Sequence, residues 1–162
     1  MNRVKKKVLF VCMGNICRSP GGEAVFKKMI EKASLSAQYE IDSAGTIAAH
    51  AGEQADRRMQ RHASQRGYLL DSISRKVQPE IDFQHFDYII VMDDSNYDDL
   101  VRLARSDEEV QKISKITDYS QNYSYTSVPD PYYGGDEGFE LVLDLLEDAC
   151  WGLLEFIEGN SL

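Results

Sequence analysis

The chain opens on a short apolar run, Lys7-Val8-Leu9-Phe10-Val11-Cys12, whose β-branched and aromatic content predicts a buried strand. It passes into a loop, Met13-Gly14-Asn15-Ile16-Cys17-Arg18, and then into Ser19-Pro20. Ser at an N-cap followed by Pro at the first helical position predicts a helix start there. That helix carries Val25, Phe26, Met29 and Ile30 on its buried side. The Gly21-Gly22 pair in its first turn is unfavourable by about 1 kcal/mol per Gly relative to Ala. A second strand is predicted over 39–43, ended by Ala44-Gly45-Thr46, and an amphipathic helix over 53–66 that Gly67 would cap. The apolar run 86–92 predicts a third strand, leading through Asp93-Asp94-Ser95 into a helix to about Ala104; 113–116 is a weak fourth strand. After a loop over 121–135, Phe139, Val142, Leu143, Leu146, Cys150, Leu153, Leu154 and Ile157 form the apolar stripe of a last helix. Strands alternating with helices predict an α/β three-layer sandwich, a four-stranded parallel sheet with helices on both faces.

The 162 residues suit one domain, 1–162, with no internal repeat or linker, and with residues 1–6 expected as a mobile basic N-terminus. At 43% hydrophobic the chain can bury a core without staples. Its 18 basic and 27 acidic residues, a net charge of −9, argue against broad binding of nucleic acid. No apolar run approaches the roughly 18 residues of a membrane span, so no membrane insertion is expected. Three cysteines make neither a disulfide framework nor a zinc-ligand pattern. A cytoplasmic protein, monomeric and without cofactor or metal, is the expectation. The charge is uneven, however. Residues 1–30 hold seven basic groups against one acid, whereas 130–162 hold nine acids and no Lys or Arg. The first segment therefore suits a local anion site, and the last a helix with an acidic solvent face.

The loop between Cys12 and Arg18 follows the first strand, at the sheet edge where such folds bind ligands. Successive N–H groups in a tight loop, with a helix N-terminus behind them, make an anion-binding concavity. Neither a Walker pattern nor a three-glycine dinucleotide pattern is present. If the loop curls around a phosphate, Cys12 lies beneath the phosphorus and Arg18 reaches two of its oxygens. Amides, helix end and Arg18 all favour a thiolate, and the Ser19 hydroxyl can donate to the sulfur. A phosphate ester also needs its leaving group protonated. Asp130, in Val128-Pro129-Asp130-Pro131-Tyr132-Tyr133-Gly134-Gly135, is the best candidate acid, its flanking prolines expected to hold the carboxylate out of an Asx turn.

The segment Val8-Leu9-Phe10-Val11-Cys12-Met13-Gly14-Asn15-Ile16-Cys17-Arg18-Ser19-Pro20 closely resembles the phosphate loop of the low-molecular-weight protein tyrosine phosphatases. Ile41-Asp42-Ser43-Ala44-Gly45-Thr46, Asp87 to Asp93 and Asp130-Pro131-Tyr132 resemble that family's later landmarks, in order. The resemblance implies hydrolysis of phosphotyrosine proteins or peptides and of small aryl phosphates in two metal-free steps, through a phosphocysteine intermediate, releasing inorganic phosphate. Cys12 is the implied nucleophile and Asp130 the acid, then base. Arg18, Ser19 and the loop residues Met13, Gly14, Asn15, Ile16 and Cys17 surround the phosphate, and Tyr132 flanks the ring. Asn15 and Ser43 hold the loop in shape. Cys17 is either a redox partner that joins Cys12 on oxidation or a small side chain filling space under the loop. Two departures stand out. The family's supporting His is missing from Asp71-Ser72-Ile73-Ser74-Arg75, and no aromatic residue follows Thr46, leaving the ring wall to Tyr132, Met13 and His50. His50, His62 and His85 form no ligand set and otherwise read as surface residues.

Other readings differ in chemistry. Arsenate reduction on this scaffold needs a further cysteine pair, and only Cys150 follows Cys17. Phosphoarginine phosphatases resemble this loop but carry Thr where this chain has Ile16. A phospho-binding module without turnover has no need of an acid over the leaving group.

Overall fold

The computed structural model describes residues 4–159. Four strands, β1 (Lys6–Cys12), β2 (Tyr39–Gly45), β3 (Tyr88–Val91) and β4 (Ile113–Lys115), form one parallel sheet in the order β2-β1-β3-β4. Because successive side chains leave a strand on opposite faces, β1 feeds two cores. Val8, Phe10 and Cys12 pack under α1 (Arg18–Lys32), α2 (Arg57–Gln65) and α6 (Asp136–Glu158). Leu9 and Val11 pack on the other face with Phe83, Phe86 and Leu100, from α3 (Pro79–His85), the link to β3, and α4 (Asp94–Leu103). A short α5 (Asp107–Gln111) precedes β4. The sandwich is the one the hydrophobic pattern predicts. No described helix is long and apolar enough to cross a membrane.

Several local expectations change. The first helix begins at Arg18, one residue before Ser19, and has no side-chain cap. Gly21 and Gly22 are where that helix sits tightest. A Cβ on Gly22 would lie 2.9 Å from Phe10 Cδ1, and one on Gly21 2.7 Å from Met59 Cε. Their low helix propensity is the cost of seating the first turn directly on the sheet and on α2. The second helix starts at Arg57, with Asp56 as its N-cap accepting from Arg58 and Met59 amides. At the N-terminus, Lys6 is strand, paired with Glu158 at 2.6 Å, so the expected mobile segment does not reach it; residues 1–3 lie outside the described residues.

β1 is central: its chain leaves to one side toward β2, and β3 lies on its other side. The crevice beyond the carboxyl ends of β1 and β3 is the topological switch point, where this class of sheet binds its ligands. The loop after β1 and Asp93 after β3 meet there.

Candidate active site

Residues 13–17 wrap into a tight loop at the end of β1. Its carbonyls are engaged from outside: Cys12 O by Thr46 N (2.9 Å), Met13 O by Ile47 N (3.2 Å), Ile16 O by Asp56 N (2.9 Å) and Cys17 O by Gly21 N (3.0 Å). Asn15 O accepts from Ser74 Oγ at 2.5 Å. By contrast, the N–H groups of residues 13–18 have no protein acceptor among the described residues. A loop that turns its carbonyls outward and leaves six consecutive N–H groups without acceptors is built for an anion.

Asn15 makes the turn possible. Its φ of 56° lies in the left-handed region, which Asn tolerates better than most side chains. It is 1% exposed, and its amide is fully used. Oδ1 accepts from Arg75 N at 3.0 Å, and Nδ2 donates to Ser19 Oγ (2.8 Å) and Ser43 Oγ (3.0 Å). A backbone N–H can only donate, which fixes the amide's orientation. The proton directions then follow. Ser43 gives its own proton to Glu23 Oε1 (2.6 Å), whose other oxygen is paired with Lys27 (2.6 Å). Ser19 Oγ, already accepting from Asn15, has its proton available for Cys12 Sγ at 3.0 Å. The Ser19 amide also faces the sulfur, at 3.4 Å. Ser19 therefore serves the cysteine and not the helix end.

Arg18 is 3% exposed. One terminal nitrogen, Nη1, donates to Asp93 Oδ2 (2.6 Å) and to Val128 O (3.0 Å), which uses both its protons. The edge formed by Nε and Nη2 carries no hydrogen bond among the described residues, and this edge matches two phosphate oxygens. Burial opposes the guanidinium charge, but Cys12 and Asp93 outweigh it and hold Arg18 protonated above its ordinary value. Asp130 Oδ2 lies 3.6 Å from Nη2.

Asp130 departs from expectation in one respect. Its Oδ1 accepts from Tyr132 N at 3.0 Å, which is an Asx turn. Pro131 has no N–H to offer, so the first amide within reach is two residues on. Only Oδ2 faces the cleft. The acid loop is tied back by Arg58, whose Nη2 donates to Tyr132 O (2.8 Å) and to Asp56 Oδ2 (3.0 Å). Its guanidinium also lies over the rings of Tyr132 (5.6 Å) and Phe139 (4.8 Å).

Cys12, Met13, Gly14, Ile16, Cys17, Arg18, Asp130 and Tyr132 all line one cleft of about 80 Å³. Two lining residues complete it, Tyr133 and His50. His50 is half-buried and packs on Gly14, where a Cβ would meet its ring at 3.1 Å, with the Tyr132 ring 6.1 Å away. His50 is thus part of the wall that the missing aromatic residue leaves open. His62 is not a surface residue either. It is buried against Phe139 with its two nitrogens facing Glu140 and Asp136, a tie between α2 and α6. The three cysteines are free thiols; burial first, and Asp56 next, push the Cys17 thiol well above its ordinary range.

The missing supporting histidine is replaced from the same stretch: Ser74 and the Arg75 amide hold Asn15. Asp93, Glu23, Ser74, Arg75 and Arg58 were not legible as site residues. For Asp93 a signal existed, since a buried Arg18 needs a counterion and Asp93 follows the neighbouring strand at the switch point.

The family model for low molecular weight phosphotyrosine protein phosphatases matches residues 7–161. The chain belongs to this family. A putative low molecular weight protein-tyrosine-phosphatase of Synechocystis is 46% identical over 148 residues, 91% of this chain and 94% of that protein. A solved protein tyrosine phosphatase of Entamoeba histolytica is 49% identical with a TM-score of 0.93, covering 98% of this chain and 100% of its own. A Drosophila arginine phosphatase is 32% identical with a TM-score of 0.87, covering 94% and 98%.

Proposed function

We propose that this phosphatase hydrolyses phosphotyrosine in proteins or peptides by way of a phosphocysteine. The observation that carries this reading is the ring of six acceptor-free amides and the open Arg18 edge around the Cys12 sulfur, with one Asp130 oxygen facing the same cleft. In the first step the Cys12 thiolate attacks phosphorus, forming S–P as the bond to the tyrosine oxygen breaks. Amides and guanidinium take up the charge on the three equatorial phosphoryl oxygens, fixed in place before reaction. Asp130, entering as the acid, gives its proton through Oδ2 to the departing phenolate. In the second step the Asp130 carboxylate takes a proton from water, the oxygen attacks phosphorus, S–P breaks and inorganic phosphate forms. The Ser19 hydroxyl stabilises the sulfur as it leaves.

Ile16 is among the residues that line the cleft, an apolar group whose contact would favour an aryl ring over a guanidinium. The test is kcat/KM on matched peptides bearing phosphotyrosine, phosphoarginine or phosphoserine, with Cys12→Ser beside the wild type. Preference for phosphotyrosine, with turnover in Cys12→Ser down on the order of 10⁴-fold or more, is the expected result. Equal or better phosphoarginine turnover would move the substrate assignment toward the activity named for the Drosophila structure. Tight phosphate binding without turnover would leave a binding module.

A further inference from the structure

The cleft holds about 80 Å³, so the residues flanking a phosphorylated side chain must lie outside it. Its rim residues Ile16, His50 and Tyr132 also border an open groove of about 480 Å³ that continues to Gln54 and Arg57. From those two residues a second groove, of about 490 Å³, runs along α2 past Arg61 to Leu69. The lining of this second groove includes two arginines and no Asp or Glu, on a chain with a net charge of −9.

These arginines differ from the others on this helix and at its C-cap. Arg58 is engaged with Asp56 and Tyr132 O, and Arg66 with Glu140, Asp144 and Glu147. Arg57 makes no ion pair among the described residues. Arg61 meets only Asp136, at 3.2 Å, with both side chains more than half exposed. In the nearer groove the two carboxylates are already engaged, Glu53 with His50 and Asp56 with Arg58. What is offered to a bound segment is therefore positive. Residues four apart on a helix are separated by about 6 Å along its axis, close to the rise of two residues of extended chain. Side chains two apart on such a chain point the same way. Leu69, 74% exposed at the far end, adds an apolar contact.

We propose that Arg57 and Arg61 select phosphotyrosine segments carrying carboxylates at alternate positions beside the phosphorylated residue, laid extended along α2. This rests on the phosphotyrosine reading above and names its substrate class. The test uses full-length protein and matched phosphotyrosine peptides whose flanks carry Glu or Lys at alternate positions on either side. These are compared in wild type and in the double variant Arg57→Glu, Arg61→Glu, with p-nitrophenyl phosphate as the readout of fold and chemistry, since it does not reach the groove. At low salt the wild type should favour an acidic flank about three- to tenfold in kcat/KM, through KM, as two exposed ion pairs allow. The preference should shrink toward 0.5 M salt, and the double variant should lose or invert it while hydrolysing the aryl phosphate as before. Equal turnover of acidic and basic peptides by the wild type, or an acidic preference kept by the variant, would overturn the proposal and leave the phosphotyrosine reading intact. Hydrolysis of the aryl phosphate with no turnover of any phosphotyrosine peptide would overturn both.

Discussion

The loop of residues 13–17 and the loop carrying Asp130 face each other across the cleft and are held in opposite ways. In the first, Asn15, Ile16 and Cys17 are 8% exposed or less, and every polar atom of the Asn15 side chain has a protein partner. In the second, Tyr133 is 95% exposed and the Asp130 side chain 40% exposed, with Gly134 and Gly135 following. Between Pro129 and Gly135 its hydrogen bond to the body, among the described residues, is the one from Arg58 to Tyr132 O, with Arg58 also over the Tyr132 ring; the rest of its hold is apolar, Pro131 being buried and Tyr132 packed on the core. The difference matches the work proposed for each side. An anion cradle gains from donors that need no reorganisation. An acid that must admit a substrate, protonate it and then activate water benefits from a lighter hold, in keeping with functional loops being drawn from the less stable parts of a fold.

The contrast breaks most severely at Asn15. Asn15→Ala puts an alanine at φ 56° and removes the donors to Ser19 and Ser43 together with the acceptor for Arg75. With the amides no longer aimed, kcat on p-nitrophenyl phosphate should fall about 10²-fold, and the inhibition constant for inorganic phosphate should rise with it. A kcat within threefold of wild type would mean that the loop keeps its shape without this network.

A smaller effect is expected at Arg58, on the lightly held side. Arg58→Ala frees Tyr132 O and leaves the Asx turn to position Asp130 alone. The loss should follow the leaving group in kcat/KM, which reports the first step alone: about tenfold for phenyl phosphate, whose phenolate needs a proton, and little for 2,4-dinitrophenyl phosphate, whose phenolate does not. A uniform loss across leaving groups would make Arg58 a general support of the fold and not a positioning residue for the acid.

The same two regions differ in how far sequence reading reaches them. Cys12, Arg18 and Ser19 lie within eight consecutive residues, so local spacing alone brings them to one point, and Asp130 stands out through its two prolines. The supports are another matter. Asp93 reads as the N-cap of α4, and it is one, accepting from Asn96 N at 2.7 Å; its second oxygen takes Arg18 from 75 residues away. Glu23, Ser74 and Arg58 look like ordinary helix-surface or turn residues, and only long-range packing gives them their partners. Ser19 shows the reverse: a strong local helix-start signal is overridden because its hydroxyl is worth more against a buried sulfur. The short α3 and α5 escape a periodicity criterion altogether, although Pro79 and the capping Ser106 mark their starts.

Asp56 joins the two regions, and its titration should loosen one before the other. Its N–H holds Ile16 O of the phosphate loop, and its carboxylate caps α2 and holds Arg58, which in turn holds Tyr132 O. Burial raises its pKa less than the Arg58 bonds and the two amides lower it, so the folded-state pKa lies below the ordinary 3.8. A depressed carboxylate contributes stability that is present above the unfolded-state value and is lost as pH falls through the folded one. Asp56→Asn keeps a competent N-cap and the backbone N–H while removing the charge. The variant should therefore be less stable at pH 7 by about 1 kcal/mol or less, read from urea midpoints. The gap to wild type should narrow as pH drops below about 4. The N–H to Ile16 O does not titrate, so amide exchange of the phosphate loop should be unchanged in the variant at pH 7, while that of residues 131–135 accelerates. Equal acceleration in both loops would show that Asp56 holds them as one unit and that the separation between a rigid cradle and a lighter acid loop is wrong.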